Sequence, residues 1–471
     1  MSQKINLLSI GLRFAYGKML RLLPDRLRWP PEYHRMVEFL YRSENWTPAE
    51  QACFQYDSMR SLLQYAEENI SWYQKSFAEH GVSSRTFVNL EDIQKFPTVS
   101  KEDIRDHLED FVSTRLPRRS LIYTTTGGST GIPCGFFQTQ SQLSIERAFF
   151  GYHWGWFDCK LDDLSVVFRG GFVGTESQPF LFRPSRNEWH FSVYFLSGDR
   201  LQRYVDRLNS IKPRFIQAYP SAIDILAQFL LETDQHLDFE LRAVMCGSEN
   251  TYPAQIDRIE KAFGTHVHAW YGQAEKVCMA VWTRTSRSYH VLPQYGLTEL
   301  VHRRDVDFGN VGEAGEIVAT GFHNYGMPLI RYKTRDMAIE DTAPSAIGPH
   351  YRRFKRIDGR LQEMFVADNG RLISMTAMNM HDNVFDCLSQ FQFHQDTPGV
   401  LVMKAVPKST LSAVDQSRIE QRIREKVGAD TVLSVEVVRE IPRTQSGKLR
   451  FLVQKLPIPQ WPDVRKADRQ Q

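Results

Sequence analysis

Short apolar runs alternate with helically spaced ones along the middle of the chain. "LSVVFRGGF" (164–172), "RFIQAYP" (214–220), "LRAVMCGSE" (241–249) and "HVHAWYG" (266–272) are each brief, apolar and closed by Gly, Pro or a polar residue. That pattern predicts buried strands. Between them, "DRLQRYVDRLNSI", "SAIDILAQFLLE" and "YPAQIDRIEKAFG" repeat apolar positions every three or four residues and predict helices, the last stopped at Gly264. Strands alternating with helices predict an α/β domain built on doubly wound, mainly parallel sheets, with ligands beyond the strand C-termini.

The pattern changes after residue 296. "TELVHRR", "GEIVATGF" and "LIRYKT" follow one another without an intervening helix, which predicts a β subdomain over about 296–345. From about 362 to 471, "GVLVMKAVPK", "DQSRIEQRIREKV" and "SVEVVRE" read as strand, helix and strand of a small α+β domain. Residues 1–90 are read as a helical N-terminal region ahead of a core spanning 91–361. Leu8, Leu12, Ala15, Met19 and Leu22 recur at helical spacing with Arg13, Lys18 and Arg21 off the stripe. That describes an amphipathic helix, which either packs on its own domain or touches a membrane surface peripherally.

Composition narrows the function. Lys and Arg number 58 against 55 Asp and Glu, a net charge of only +3, which argues against a nucleic-acid binder. Six dispersed cysteines form no CxxC pair and read as reduced thiols in a cytoplasmic protein. No apolar run approaches the length of a membrane span.

Candidate chemistry begins at "TTTGGSTGIPCG" (124–135), a hydroxyl-rich glycine loop able to surround a phosphate with backbone N–H groups. It is not a Walker motif, because Ile132-Pro133 stands where Lys-Ser/Thr is required. Four more stretches follow in order: "YGQAE" (271–275), "GEAGEIVATG" leading into "RYKTRD" (331–336), "RIDGRLQEM" (356–364) and "PRTQSGKLR" (442–450). The set resembles the acyl-adenylate-forming superfamily. Within it, "RFIQAYPSAIDILA", "LRAVMCGSE" and "GRLQEM" look most like the phenylacetate–CoA ligase family and its branch associated with capsular-polysaccharide biosynthesis.

The resemblance implies a role for each matching residue. Thr126, Gly127, Gly128, Ser129, Thr130 and Gly131 would cover the ATP phosphates, with Thr130 also catalytic. Gly247, Ser248, Glu249, Tyr271, Gly272, Asp336 and Arg360 would bind ATP, Tyr271 against the adenine and Asp336 on the ribose. Glu275 would ligate Mg²⁺, Gln362 would be the hinge of a mobile C-terminal domain, and Lys448 would be catalytic. Three departures stand out: Cys134 where a loop lysine is common, Ala274 for Thr, and Arg335 for Gly. Tyr152, His153, Trp154, Phe172, Tyr219, Ser248 and Trp270 are candidates for the acid pocket.

These roles imply an enzyme that activates a carboxylic acid with ATP to an acyl-adenylate and passes the acyl group to CoA. A second reading sends it to an amine or hydroxyl, such as an amino sugar of a surface glycan, with the N-terminal helix at the inner membrane face. A third is a non-catalytic nucleotide-binding relative, against which the presence of Lys448, Glu275 and Asp336 counts.

Overall fold

The computed structural model describes residues 25–125, 134–170, 172, 174–196, 200–302, 306–307, 314–343, 351–360, 364–368, 372–374, 383–385, 387–427, 431–444, 448–454 and 456. Two compact units emerge. The first takes in residues 1–302, 312–357 and Arg443–Lys448; the second takes in 303–311, 358–442 and 449–471. The amphipathic stripe of Leu8 to Leu22 lies outside the described residues. Among the described residues no helix is long and apolar enough to cross a membrane.

The first unit begins with helices α1 (Asp25–Arg28), α2 (Pro31–Ser43), α3 (Pro48–Asn69) and α4 (Ser71–Glu79). Helix α3 starts where the sequence says it should. Thr47 Oγ1 accepts from the Glu50 backbone N–H, and the Glu50 carboxylate accepts from Thr47 N–H at 2.7 Å, satisfying two end donors at once. Its buried face, Met59, Leu62, Leu63 and Ala66, joins one core with Ile216, Val244 and Ala269 of the sheet. The N-terminal helices thus share their core with the elements that follow. Helix α5 (Lys101–Asp106) and the hairpin β1 (Leu121–Thr125) and β2 (Gly135–Thr139) come next, then α6 (Gln140–Gly155).

The alternating segment folds as its spacing indicates. Strands β3 (Ser165–Phe168), β4 (Phe180–Arg183) and β5 (Glu188–Phe191) precede α7 (Arg200–Ile211), β6 (Phe215–Ala218) and α8 (Pro220–Glu232). β7 (Ala243–Gly247), α9 (Pro253–Phe263) and β8 (His266–Gly272) complete the series. β5, β3, β6, β7 and β8 are joined by parallel pairings, and β3, β6 and β7 are buried along their whole length. Gly264 ends α9 at φ 60, a left-handed cap with open space around it.

The later strands do not form a sheet of their own. β9 (Met279–Val281), β10 (Tyr289–Val291), β11 (Gly296–His302), β13 (Ala314–Gly321), β14 (Tyr332–Glu340) and β15 (Arg353–Arg360) extend the parallel strands into one twelve-stranded mixed sheet. Its order is β11-β13-β14-β15-β10-β9-β8-β7-β6-β3-β5-β4. This continuity brings β14 and β8 to one site.

In the second unit, β12 (Val306–Asp307), β16 (Met364–Val366) and β17 (Leu372–Ser374) form a small sheet. A four-stranded sheet of order β20-β19-β18-β21 uses β18 (Leu388–Gln395), β19 (Val400–Pro407), β20 (Val432–Val437) and β21 (Leu452–Gln454). Helix α10 (Ala413–Val427) packs Ile419, Ile423 and Val427 against Leu401, Met403 and Ala405. The expected strand–helix–strand reading of an α+β unit therefore stands, with its own core.

Candidate functional site

Chemistry-bearing residues gather where the parallel strands end. Gly247 closes β7 opposite Trp270 of β8. A Cβ on Gly247 would lie 2.6 Å from the indole Nε1, so only glycine lets the ring lie across the strand end. Ser248 follows at φ 67, an exposed turn residue. Glu249 then folds back: its carboxylate accepts from the Ser221 backbone N–H and hydroxyl, both at 3.1 Å, in the first turn of α8. An anion is favoured there by the helix dipole and the free N–H groups. Glu249 thus serves a helix end, a position the sequence resemblance assigned to nucleotide binding.

The motifs around β8 and β14 interlock. The Tyr271 hydroxyl donates to Asp336 Oδ2 at 2.7 Å, and the Tyr332 hydroxyl donates to Glu275 Oε1 at 2.9 Å. Each stretch therefore supplies one phenol and one carboxylate to the other. Burial, then the Asp336 charge, holds the Tyr271 phenol well above its usual range, so it stays protonated as a donor. Asp336, only 8% exposed, is set by its own turn: its N–H donates to Thr334 Oγ1, which donates to the Ile317 carbonyl at 2.7 Å. The Glu275 carboxylate, 7% exposed, suits a hard cation whose other ligands are phosphate and water, although the described residues hold no cluster of three metal-ligating side chains.

Arg335 takes the left-handed conformation at φ 65, which accounts for glycine at this place in the family pattern. Its N–H donates to Glu316 Oε1 at 3.1 Å and its guanidinium pairs with Glu102. These two contacts hold a non-glycine residue in a strained turn just before Asp336.

Lys448 lies with its ammonium 6.0 Å from the centre of the Tyr219 ring. Thr444 and Lys448 pair with each other, Thr444 N–H donating to the Lys448 carbonyl at 2.9 Å and Lys448 N–H to Thr444 Oγ1 at 3.0 Å. Arg443 reaches Ser221 Oγ at 3.3 Å, and burial disfavours its charged form. Thr126 to Gly131 and Gln362 lie outside the described residues. The backbone of Arg360 ends β15.

The aromatic pocket candidates do not converge on one wall. Tyr152 packs with Phe149, Met279 and Leu292, while Trp154 packs with Phe157, Phe215 and Met245 in another cluster. His153 is wholly buried, Nδ1 to Nε2 of His268 at 2.8 Å. All three are accounted for by packing on α6. Tyr219 and Trp270 stand at the strand ends, Trp270 also packing against the cluster that holds Tyr152. Sequence reasoning passed over Tyr332, Arg169 and Arg443, although each lies inside a stretch it had singled out.

Residues 365–455 match the family described as the CapK C-terminal domain. The chain is similar to protein CapK of Staphylococcus aureus, 23% identical over 403 residues covering 83% of this chain and 86% of CapK. It is likewise similar to phenylacetate-coenzyme A ligase of Escherichia coli (strain K12), 23% identical over 422 residues covering 83% and 92%. Among solved structures, it resembles 2-hydroxyisobutyryl-CoA ligase in the postadenylation state with R3-HIB-AMP, at TM-score 0.69 and 19% identity over 91% of this chain and 94% of that one. The same enzyme with 2-HIB-AMP and CoA in the thioesterification state gives TM-score 0.57 and 20% identity over 91% and 94%. The resemblance carried by the motifs therefore holds: the relatives are CapK and phenylacetate–CoA ligases, and the fold is shared with a CoA ligase.

Proposed function

We propose that this chain is an ATP-dependent, AMP-forming ligase that activates a carboxylic acid as its acyl-adenylate and passes the acyl group to CoA. The observation that carries the reading is the reciprocal pairing of Tyr271 with Asp336 and Tyr332 with Glu275, which fixes two separate motifs into one polar site. In the first step a carboxylate oxygen attacks the α-phosphorus of ATP, the bond to the β-phosphate oxygen breaks, and pyrophosphate leaves. In the second the CoA thiolate attacks the acyl carbon, and the bond to AMP breaks. Asp336 accepts from the ribose hydroxyls and Tyr271 lies beside the adenine. Thr126 to Gly131 cover the phosphates, and Gly247, Ser248, Gly272 and Arg360 complete the nucleotide site. Lys448 brings positive charge to the oxygens on which charge builds, the main source of catalysis in such a transfer. Glu275 would hold Mg²⁺, which supplies charge neutralisation at the phosphates. Gln362 is the hinge.

In a second reading an amine or hydroxyl replaces CoA as acceptor. Pyrophosphate release over a panel of acids, with and without CoA, separates the two. Acid-dependent release with a thioester formed only with CoA is expected. Release without thioester selects the other acceptor, and no release with any acid overturns the adenylation reading.

A further inference from the structure

Arg169 is a charged side chain at the strand ends that the site described so far does not use. It follows β3 directly, and its neighbour in the parallel register, Tyr219, follows β6, tied back by Tyr219 N–H to the Phe168 carbonyl at 3.0 Å. The guanidinium lies 5.7 Å from the centre of the Trp270 ring. Its Nε and Nη2 are both buried and meet no hydrogen-bond acceptor among the described residues. Burial disfavours the charged form, offset in part by Tyr219 and Cys246 and then by Glu188 and Glu249. Neither carboxylate closes on it. Glu249 is engaged by Ser221, and Glu188 accepts from His190 at 3.2 Å and from Gln217 at 3.5 Å.

Guanidinium N–H groups buried without an acceptor are costly, and such groups are normally paired. The two vacant N–H groups, Nε and Nη2, are the side-on edge of the fork, whose parallel donors match the two oxygens of a carboxylate. The surroundings also matter. The Tyr219 ring has Lys448 near it, and Tyr219 in turn sits beside Arg169. Trp270 leaves β8 on the face opposite its neighbour Tyr271, which holds Asp336. Arg169 therefore stands away from the Tyr271–Asp336 pair and near the residue proposed to meet the reacting carboxylate.

We propose that Arg169 recognises a second carboxylate, so that the acid taken by this chain is a dicarboxylic acid, activated at one end and held by the guanidinium at the other. The identity of the reacting end rests on the adenylation reading above; the anion site at Arg169 does not.

The test compares short aliphatic and aromatic dicarboxylic acids with their monoamides, using the full chain. Equilibrium binding is read by calorimetry and turnover by pyrophosphate release. At least one dicarboxylic acid is expected to bind about 100-fold more tightly than its monoamide, as for a charge-assisted bidentate pair. Arg169→Gln should erase that preference, and Arg169→Lys, which keeps the charge but not the fork, should restore only part of it. ATP affinity in both variants reports that the fold is intact. A preference seen in binding without any pyrophosphate release would keep this inference and sink the adenylation reading. Equal binding of acid and monoamide, failure of every dicarboxylic acid to bind, or a loss in Arg169→Gln that falls equally on ATP would overturn it.

Discussion

The Tyr271 hydroxyl and the Asp336 carboxylate are 2.7 Å apart and join the end of β8 to the middle of β14. The phenol donates to Oδ2 of Asp336 and helps orient the carboxylate. A hydrogen bond to a buried charged group contributes about 1.5–3 kcal/mol. Tyr271→Phe should therefore weaken ATP binding by roughly tenfold or more, and Asp336→Ala should weaken ATP more than it weakens the acid. Calorimetric titration of each ligand decides this. Equal losses for ATP and acid in Asp336→Ala would count against a ribose contact.

The backbone of Lys448 is held by Thr444, with its ammonium over Tyr219 and no part in a hydrophobic core. Removing it should cost chemistry and leave stability almost untouched. Lys448→Ala is expected to lower acid-dependent pyrophosphate release by about 10²–10³-fold, the range for losing one transition-state charge contact. The melting temperature should remain that of the wild type. Wild-type release rates in the variant would remove Lys448 from the mechanism.

At Arg335, backbone conformation and charge can be separated. Its pair with Glu102 is partly exposed and is worth at most about 1 kcal/mol. The left-handed φ of 65 costs a residue with a Cβ roughly 1–2 kcal/mol and a β-branched one more. Arg335→Gly loses the pair but relieves the strain, so its stability should stay near wild type. Arg335→Val loses the pair and adds strain, and should fall about 2 kcal/mol below the glycine variant. Urea denaturation of the two measures the gap; a valine variant as stable as the glycine one would show that the turn relaxes.

The elements that depend on local spacing were legible. "HVHAWYG" is strand β8 residue for residue, and Gly264 caps α9 as its position suggested. Tyr271, Glu275 and Asp336 could be named because short motifs preserve their order. What spacing cannot carry is partnership across hundreds of residues. Nothing in "RYKTRD" announces that its tyrosine meets Glu275, or that β14 pairs into the same sheet as β8. His153 looked like pocket wall because an aromatic on a helix gives no sign of what it faces; its partner His268 is 115 residues away. Arg169 was hidden inside an apolar strand reading, although the strand ends one residue before it.

The His153–His268 pair makes a prediction about pH. Burial, and for His153 also the neighbouring ring, pushes both imidazoles down, His268 to about 3. Phe150, Trp154 and Phe157 surround them, and among the described residues His153 Nε2 and His268 Nδ1 meet no well-formed hydrogen-bond partner, the Trp282 backbone only partly offsetting the burial of His268. In the native state both stay neutral below the pH at which they charge in the unfolded chain, near 6.5. The unfolded state then binds more protons, so stability is present above that pH and is lost as pH falls toward the folded values. Each histidine should remove about 2 kcal/mol of stability between pH 7 and pH 5. His153→Gln can still hydrogen-bond to His268 but no longer titrates. Its stability should fall less steeply with acid, by roughly one proton's worth, about 1.4 kcal/mol per pH unit. Urea midpoints between pH 5 and pH 6 measure the slopes, and identical slopes for wild type and variant would mean that His153 is already charged in the native protein.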